Sequence, residues 1–221
     1  MNTFKKLLEN WMGEITSLSQ AYERVNYYGS YWKEKGFKEV IFALPSLFLY
    51  PLKKELGSNL FLSSQDIHWG NAGAYTGEVS ASMIREAGAN FTLLGHPHRR
   101  ETLEVTKRKL WQALEFGLKV FLFLTFSSLN GDLKEVRNKI NFFLSGLTSE
   151  EKSKIKFVYY PLFSLTEKDF NYVQLAINNI WDILWEFYSY SLLKDIDLLA
   201  AVPLGWLEKL PITGLLVELG N

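Results

Sequence analysis

Along the chain, short apolar runs of strand length alternate with longer stretches spaced like helices. The runs are TFKKLLEN (3–10), EVIFAL (39–44), NLFLSS (59–64), NFTLLG (90–95), KVFLFLT (119–125), KIKFVYY (154–160), DLLAAV (197–202) and GLLVEL (214–219). Amphipathic segments at 14–29, 47–56, 79–87, 101–116, 132–146 and 167–193 lie between most of them. Strands that read as near-continuous apolar runs and are separated by helices predict a parallel sheet covered by helices. Eight such units predict an α/β fold closed as a (β/α)8 barrel, a single domain over 1–221, with an open doubly wound sheet as the alternative.

Two irregularities stand out in the pattern. The seventh helix has room only at 204–210, between Pro203 and Pro211, both poor residues for extending a helix. Only Gly220 and Asn221 follow the eighth run, so no eighth helix is expected and one sector of the barrel should be thinly covered. The sixth helix is correspondingly bulky. Phe170, Val173, Ile177, Trp181, Leu184 and Tyr188 form one stripe, widened by Ile180, Ile183, Phe187 and Tyr190. That face packs on the barrel and a neighbouring helix, or is covered by another chain.

Composition narrows the function classes. In 221 residues, 24 basic and 24 acidic side chains cancel, leaving no global field for nucleic acid or an anionic membrane. The absence of cysteine excludes disulfides, thiolate metal sites and a cysteine nucleophile. His68, His96 and His98 are the only imidazoles and lack metal-binding spacing, so neither metal nor cofactor is expected. The apolar stretch 40–52 is broken by Pro45 and Pro51 and is too short to span a bilayer. The first residues contain no apolar run of signal-peptide length, so a soluble, cytoplasmic chain is expected.

Candidate chemistry concentrates in 73–100. GAYTGEVS (73–80) and GHPHRR (95–100), with ALPS (43–46) and SSQD (63–66) upstream, resemble the signature of the triosephosphate isomerase family. The family's third-strand loop reads GA-aromatic-TGE-aliphatic-S, and its fourth strand ends in GHSERR. The resemblance implies a TIM barrel with its chemistry at the C-terminal ends of the strands. It also implies an aldose–ketose isomerase that pairs a carboxylate base with a neutral histidine electrophile.

Carried over residue by residue, the family's site is only partly present. Asn10 matches its substrate-binding asparagine and His96 its electrophile. Met12 stands where the family has a lysine, removing a positive charge. Tyr160 aligns with the base, and a free phenol is only about one-thousandth ionised at pH 7. Pro97 and His98 replace a serine and a glutamate, and SLTEKD (164–169) lacks the lid glycines. LAAVP (199–203) and VELGN (217–221) replace the glycine turns that cradle phosphate, and Glu218 adds a charge that repels a dianion. A small phosphorylated ligand is implied by the resemblance and opposed by these residues.

The 73–80 loop is the best-kept element. In the family it inserts into a second subunit, which implies a homodimer or heterodimer with Thr76 at the tip and Glu78 and Arg99 in the polar network around it. Two functions remain open. One is a homologue that has lost isomerase activity and keeps the barrel and dimer loop as an interaction or regulatory protein. The other is a weak isomerase of glyceraldehyde 3-phosphate and dihydroxyacetone phosphate, or a barrel that uses His96 and Tyr160 on another small substrate.

Overall fold

In a computed structural model, described for residues 6–219 apart from 14, 55, 127–132, 190, 191 and 193–195, eight parallel strands close into a barrel in sequence order. The strands are β1 (Lys6–Trp11), β2 (Glu39–Leu44), β3 (Leu60–Ser64), β4 (Phe91–Leu94), β5 (Lys119–Phe126), β6 (Ile155–Pro161), β7 (Leu198–Ala200) and β8 (Gly214–Leu219). Closure is the pairing of β1 with β8, which sets Leu8 beside Leu216 and Asn10 beside Glu218. This rules out the open sheet. No helix among the described residues is long and apolar enough to cross a membrane.

Among the described residues, seven α-helices cover the barrel: α1 (Leu18–Glu34), α2 (Ser46–Leu52), α3 (Ala81–Glu86), α4 (Leu103–Glu115), α5 (Leu133–Leu144), α6 (Ser149–Ser153) and α7 (Phe170–Phe187). The first helix starts later than the pattern predicts because Ser17 caps it, its hydroxyl accepting from the Gln20 N–H. It also runs past Gly29, which is a close-packing position and not a stop: a Cβ there would lie 2.9 Å from Leu60 Cδ1. The predicted helix at 204–210 is only a 3-10 turn, Leu204–Trp206, bracketed by the two prolines. Trp206 takes over the covering role, fully buried with its ring edge-on to Phe170 at 5.3 Å. The described residues end with β8. Along α7, Val173, Ile177, Ile180, Ile183 and Leu184 are buried on the chain's own core, whereas Tyr190 lies outside the described residues.

Side chains of alternate strand residues divide into two cores, as a two-residue period requires. Leu8, Ile41, Leu93, Phe121, Val158, Leu199 and Leu216 belong to the cluster that fills the barrel. Leu7, Val40, Leu122, Phe157 and Leu198 belong to the larger cluster shared with the helices. Because inward positions recur every second residue, Leu8 predicts an inward Asn10, and Leu216 an inward Glu218.

Glu9 points the other way and is fully buried. The indole N–H groups of Trp11 and Trp32 donate to its two oxygens at 2.8 and 2.7 Å. Burial still outweighs these bonds and raises its pKa from 4.5 to about 7. The native state therefore holds a proton that the unfolded chain releases between pH 4.5 and 7. This contribution is complete below the unfolded pKa and fades as pH rises through 7, a loss of roughly 3 kcal/mol. Glu9→Gln should flatten urea-derived stability over that range by about the same amount. An unchanged slope would show that Glu9 is ionised throughout.

Candidate functional site

The C-terminal ends of four strands supply the polar groups at the barrel mouth. Strand β4 ends at Leu94, and Gly95 then takes a left-handed φ of +74°. His96 follows as the N-cap of a 3-10 turn, Pro97–Arg99, with Pro97 at the position where its fixed φ suits a helical start. The His98 backbone N–H donates to His96 Nδ1 at 3.3 Å. With Nδ1 accepting, the imidazole proton sits on Nε2. Pro97 and His98 thus shape the turn and orient the histidine, and the His98 ring itself is exposed.

Glu218, from β8, is the centre of the site. Its Oε1 accepts from His96 Nε2 at 2.8 Å and from Asn10 Nδ2 at 2.9 Å, and its Oε2 accepts from the Tyr160 hydroxyl at 2.5 Å. Its side chain is 8% exposed. Burial pushes its pKa up, but the donated bonds from His96, Tyr160 and Asn10 outweigh this and hold the carboxyl below its ordinary range. Tyr160 moves strongly upward, through burial first and then through its bond to the Glu218 carboxylate and that group's charge. Position 160 therefore holds a protonated phenol, a hydrogen-bond donor and not a base.

Gln65 secures the asparagine. Its Nε2 donates to Asn10 Oδ1 at 3.1 Å and to the Trp11 carbonyl at 2.8 Å, which leaves the Asn10 amide nitrogen to face Glu218. Met12 lies half-buried just beyond β1 and offers no charge. The structure thus brings Asn10, His96 and Tyr160 together around a residue that reads in the sequence only as phosphate repulsion. A signal for its inward position lies in the two-residue period of GLLVEL, but its partners follow only from the β1–β8 register.

The surrounding segments depart from a phosphate cradle in the same direction. No residue of 201–203 has a positive φ; among described residues outside glycine, only Asn59 and Arg100 do. An open cavity of about 500 Å³ occupies this region, and among the described residues Glu218 is the only charged one lining it. After β6 the chain is pinned by its own capping contacts. Asp169 accepts from the backbone N–H and the hydroxyl of Thr166, both at 2.7 Å, and Trp206 Nε1 donates to Glu167 at 3.3 Å.

The 73–80 loop lies apart from this cluster. Its base is closed by the His68 N–H donating to the Val79 carbonyl at 2.8 Å, and the Tyr75 ring packs on His68 at 4.3 Å and Trp69 at 5.1 Å. Thr76 and Glu78 are exposed. Arg99 does not meet Glu78; it pairs with Asp66 at 2.7 Å and Glu101 at 3.3 Å within its own chain. His68 is structural, its Nδ1 accepting from the Gly70 N–H at 3.0 Å. No group of three or more acidic, histidine or cysteine residues suited to a metal occurs among the described residues.

Comparison with known proteins agrees with the signature in the sequence. A solved triosephosphate isomerase from Bartonella henselae shares the fold, with a TM-score of 0.80 over 97% of this chain and 92% of that one, at 23% identity. The triosephosphate isomerase of Protochlamydia amoebophila is 35% identical over 136 residues, 58% of this chain and 52% of the relative. That of Geotalea uraniireducens is 32% identical over 166 residues, 71% of this chain and 65% of the relative. The matched segments thus span between about half and two thirds of these relatives' lengths. Since the family model described as triosephosphate isomerase also matches residues 6–164, this chain belongs to the triosephosphate isomerase family.

Proposed function

We propose that this family member has given up the ordinary isomerase reaction and serves as an interaction or regulatory protein built on the barrel and its 73–80 loop, in the cytoplasm. One observation carries the reading: the Glu218 carboxylate takes up the Asn10 and His96 donors that the resemblance assigns to substrate. The base position holds a phenol whose proton is retained. Proton abstraction next to a carbonyl has no positioned base, and the carbonyl has no free electrophile. The test is an assay with glyceraldehyde 3-phosphate, in which the protein is expected to show no isomerisation above a His96→Ala control.

A second reading, a weak or repurposed isomerase, draws support from His96 itself, whose proton is fixed on Nε2 and aimed at an oxygen. Activity that disappears with His96→Ala would favour it.

Association is the retained role. The loop is prepacked by Tyr75, and exposed apolar side chains lie on α3, which follows it, and on α2, which packs against α3: Met83 on α3, and Leu47, 80% exposed, and Tyr50 on α2. Lys53 Nζ, bonded to the Glu86 carbonyl at 3.2 Å, ties these two helices together. Large exposed apolar groups around a rigid loop suit a second copy or an intact isomerase chain. Light scattering is expected to give twice the 25.6 kDa chain mass for the chain alone or, after mixing with such an isomerase, the summed mass of the two chains. Thr76→Arg should return it to one chain mass without loss of thermal stability. A monomer under both conditions would end the association reading.

A further inference from the structure

Where the resemblance places a phosphate, the chain has built a cavity of the opposite character. The cavity of about 500 Å³ extends from Tyr160 and Glu218 across Phe163, Leu165, Val202 and Leu204, and among the described residues neither lysine nor arginine lines it. Its size is that of a small-molecule site, with apolar walls and few convergent polar groups.

No lysine or arginine meets the carboxylate at its polar end among the described residues. The three groups donating to Glu218 are an amide, a phenol and an imidazole whose Nδ1 accepts from the His98 N–H. These bonds favour the ionised carboxylate without cancelling its charge. A carboxylate offers about four acceptor sites, and among the described residues three are filled, Oε2 accepting from Tyr160 alone. A phosphate or carboxylate ligand would meet like charge in a poorly solvated place, whereas a neutral apolar ligand would leave the fourth acceptor site unfilled.

We propose that this cavity binds a small primary amine with an apolar body, its ammonium donating to Glu218 and its hydrocarbon lying against Phe163, Leu165, Val202 and Leu204. The inference does not depend on whether the chain isomerises sugar phosphates, because the binding measurement contains no turnover step.

Titration calorimetry of the full chain at pH 7 with benzylamine, benzyl alcohol and phenyl phosphate tests it. Benzylamine is expected to bind at least about tenfold more tightly than the alcohol, the order of effect of one hydrogen bond to a charged group. Phenyl phosphate should not displace it. Glu218→Gln should reduce benzylamine to the affinity of the alcohol, and Val202→Trp, which fills the apolar part, should abolish binding of both while circular dichroism stays native. The second variant keeps the test decisive if the first fails to fold. The proposal is overturned by any of three results: no saturable benzylamine binding, displacement of benzylamine by phenyl phosphate, or an amine preference that survives in Glu218→Gln.

Discussion

Beside the Bartonella henselae triosephosphate isomerase, this chain is expected to convert glyceraldehyde 3-phosphate at least about 10⁴-fold more slowly. A positioned base contributes typically about 10²- to 10⁴-fold, and Tyr160 holds its proton through burial and the neighbouring Glu218 charge. One preorganised donor at a developing oxyanion contributes about 10²- to 10³-fold, and here the charge at position 12 is gone while Glu218 takes the Asn10 and His96 donors. Groups that act as a unit do not multiply freely, so the lower end of the product is the safer figure. Tyr160→Glu alone should not recover the rate, because a second carboxylate would face Glu218 and one of the two would take up a proton. A coupled spectrophotometric assay decides the matter, and a wild-type rate within tenfold of the Bartonella enzyme would sink the inactive reading.

Lys109→Ala is expected to cost about 3–5 kcal/mol of stability, the range for removing one member of a buried ion cluster. The Lys109 side chain is only 4% exposed, and its Nζ lies 2.6 Å from both Asp66 Oδ2 and Glu101 Oε1. Burial already holds the Asp66 carboxyl above its usual range despite Lys109, and Glu101 Oε2 has no hydrogen-bond partner. Without the ammonium, two poorly solvated carboxylates would be left with Arg99 alone. The sign follows from linkage: the variant's carboxylates would bind protons more tightly in the native state, so its deficit should shrink as pH falls toward 5. Arg99 belongs to both this cluster and the turn that orients His96, so the loss should also loosen the barrel mouth. Urea titrations at pH 7 and pH 5 measure both effects. A deficit below about 1 kcal/mol at pH 7 would mean that water replaces the lysine.

Features set by local pattern are legible in the amino-acid order itself. The eight apolar runs correspond to eight strands, because strands buried on both faces of a parallel sheet read as continuous apolar segments. The 73–100 signature locates the loop and His96 because their chemistry is carried by contiguous residues. Helix ends are less legible: the amphipathic segment 14–29 stops at Gly29, yet the helix runs on to Glu34 and the missing side chain of Gly29 serves the approach of Leu60. Pro203 and Pro211 reveal the thin sector, but not the burial of Trp206 that fills it.

By itself the sequence determined the family and the strand count, and it sets Met12, Tyr160, LAAVP and VELGN where the resemblance implies a lysine, a carboxylate base and glycine turns, since each of these is a property of residue identity and order. Only the tertiary structure decided what the altered residues do together. Asn10, His96, Tyr160 and Glu218 come from strands far apart in the chain, and the β1–β8 closure and the inward alternation bring them within hydrogen-bond reach. A carboxylate that reads in one dimension as a repulsive charge becomes the acceptor for three donors. Its ionisation, and the retained phenol proton beside it, are set by that burial and contact and not by the residue alone.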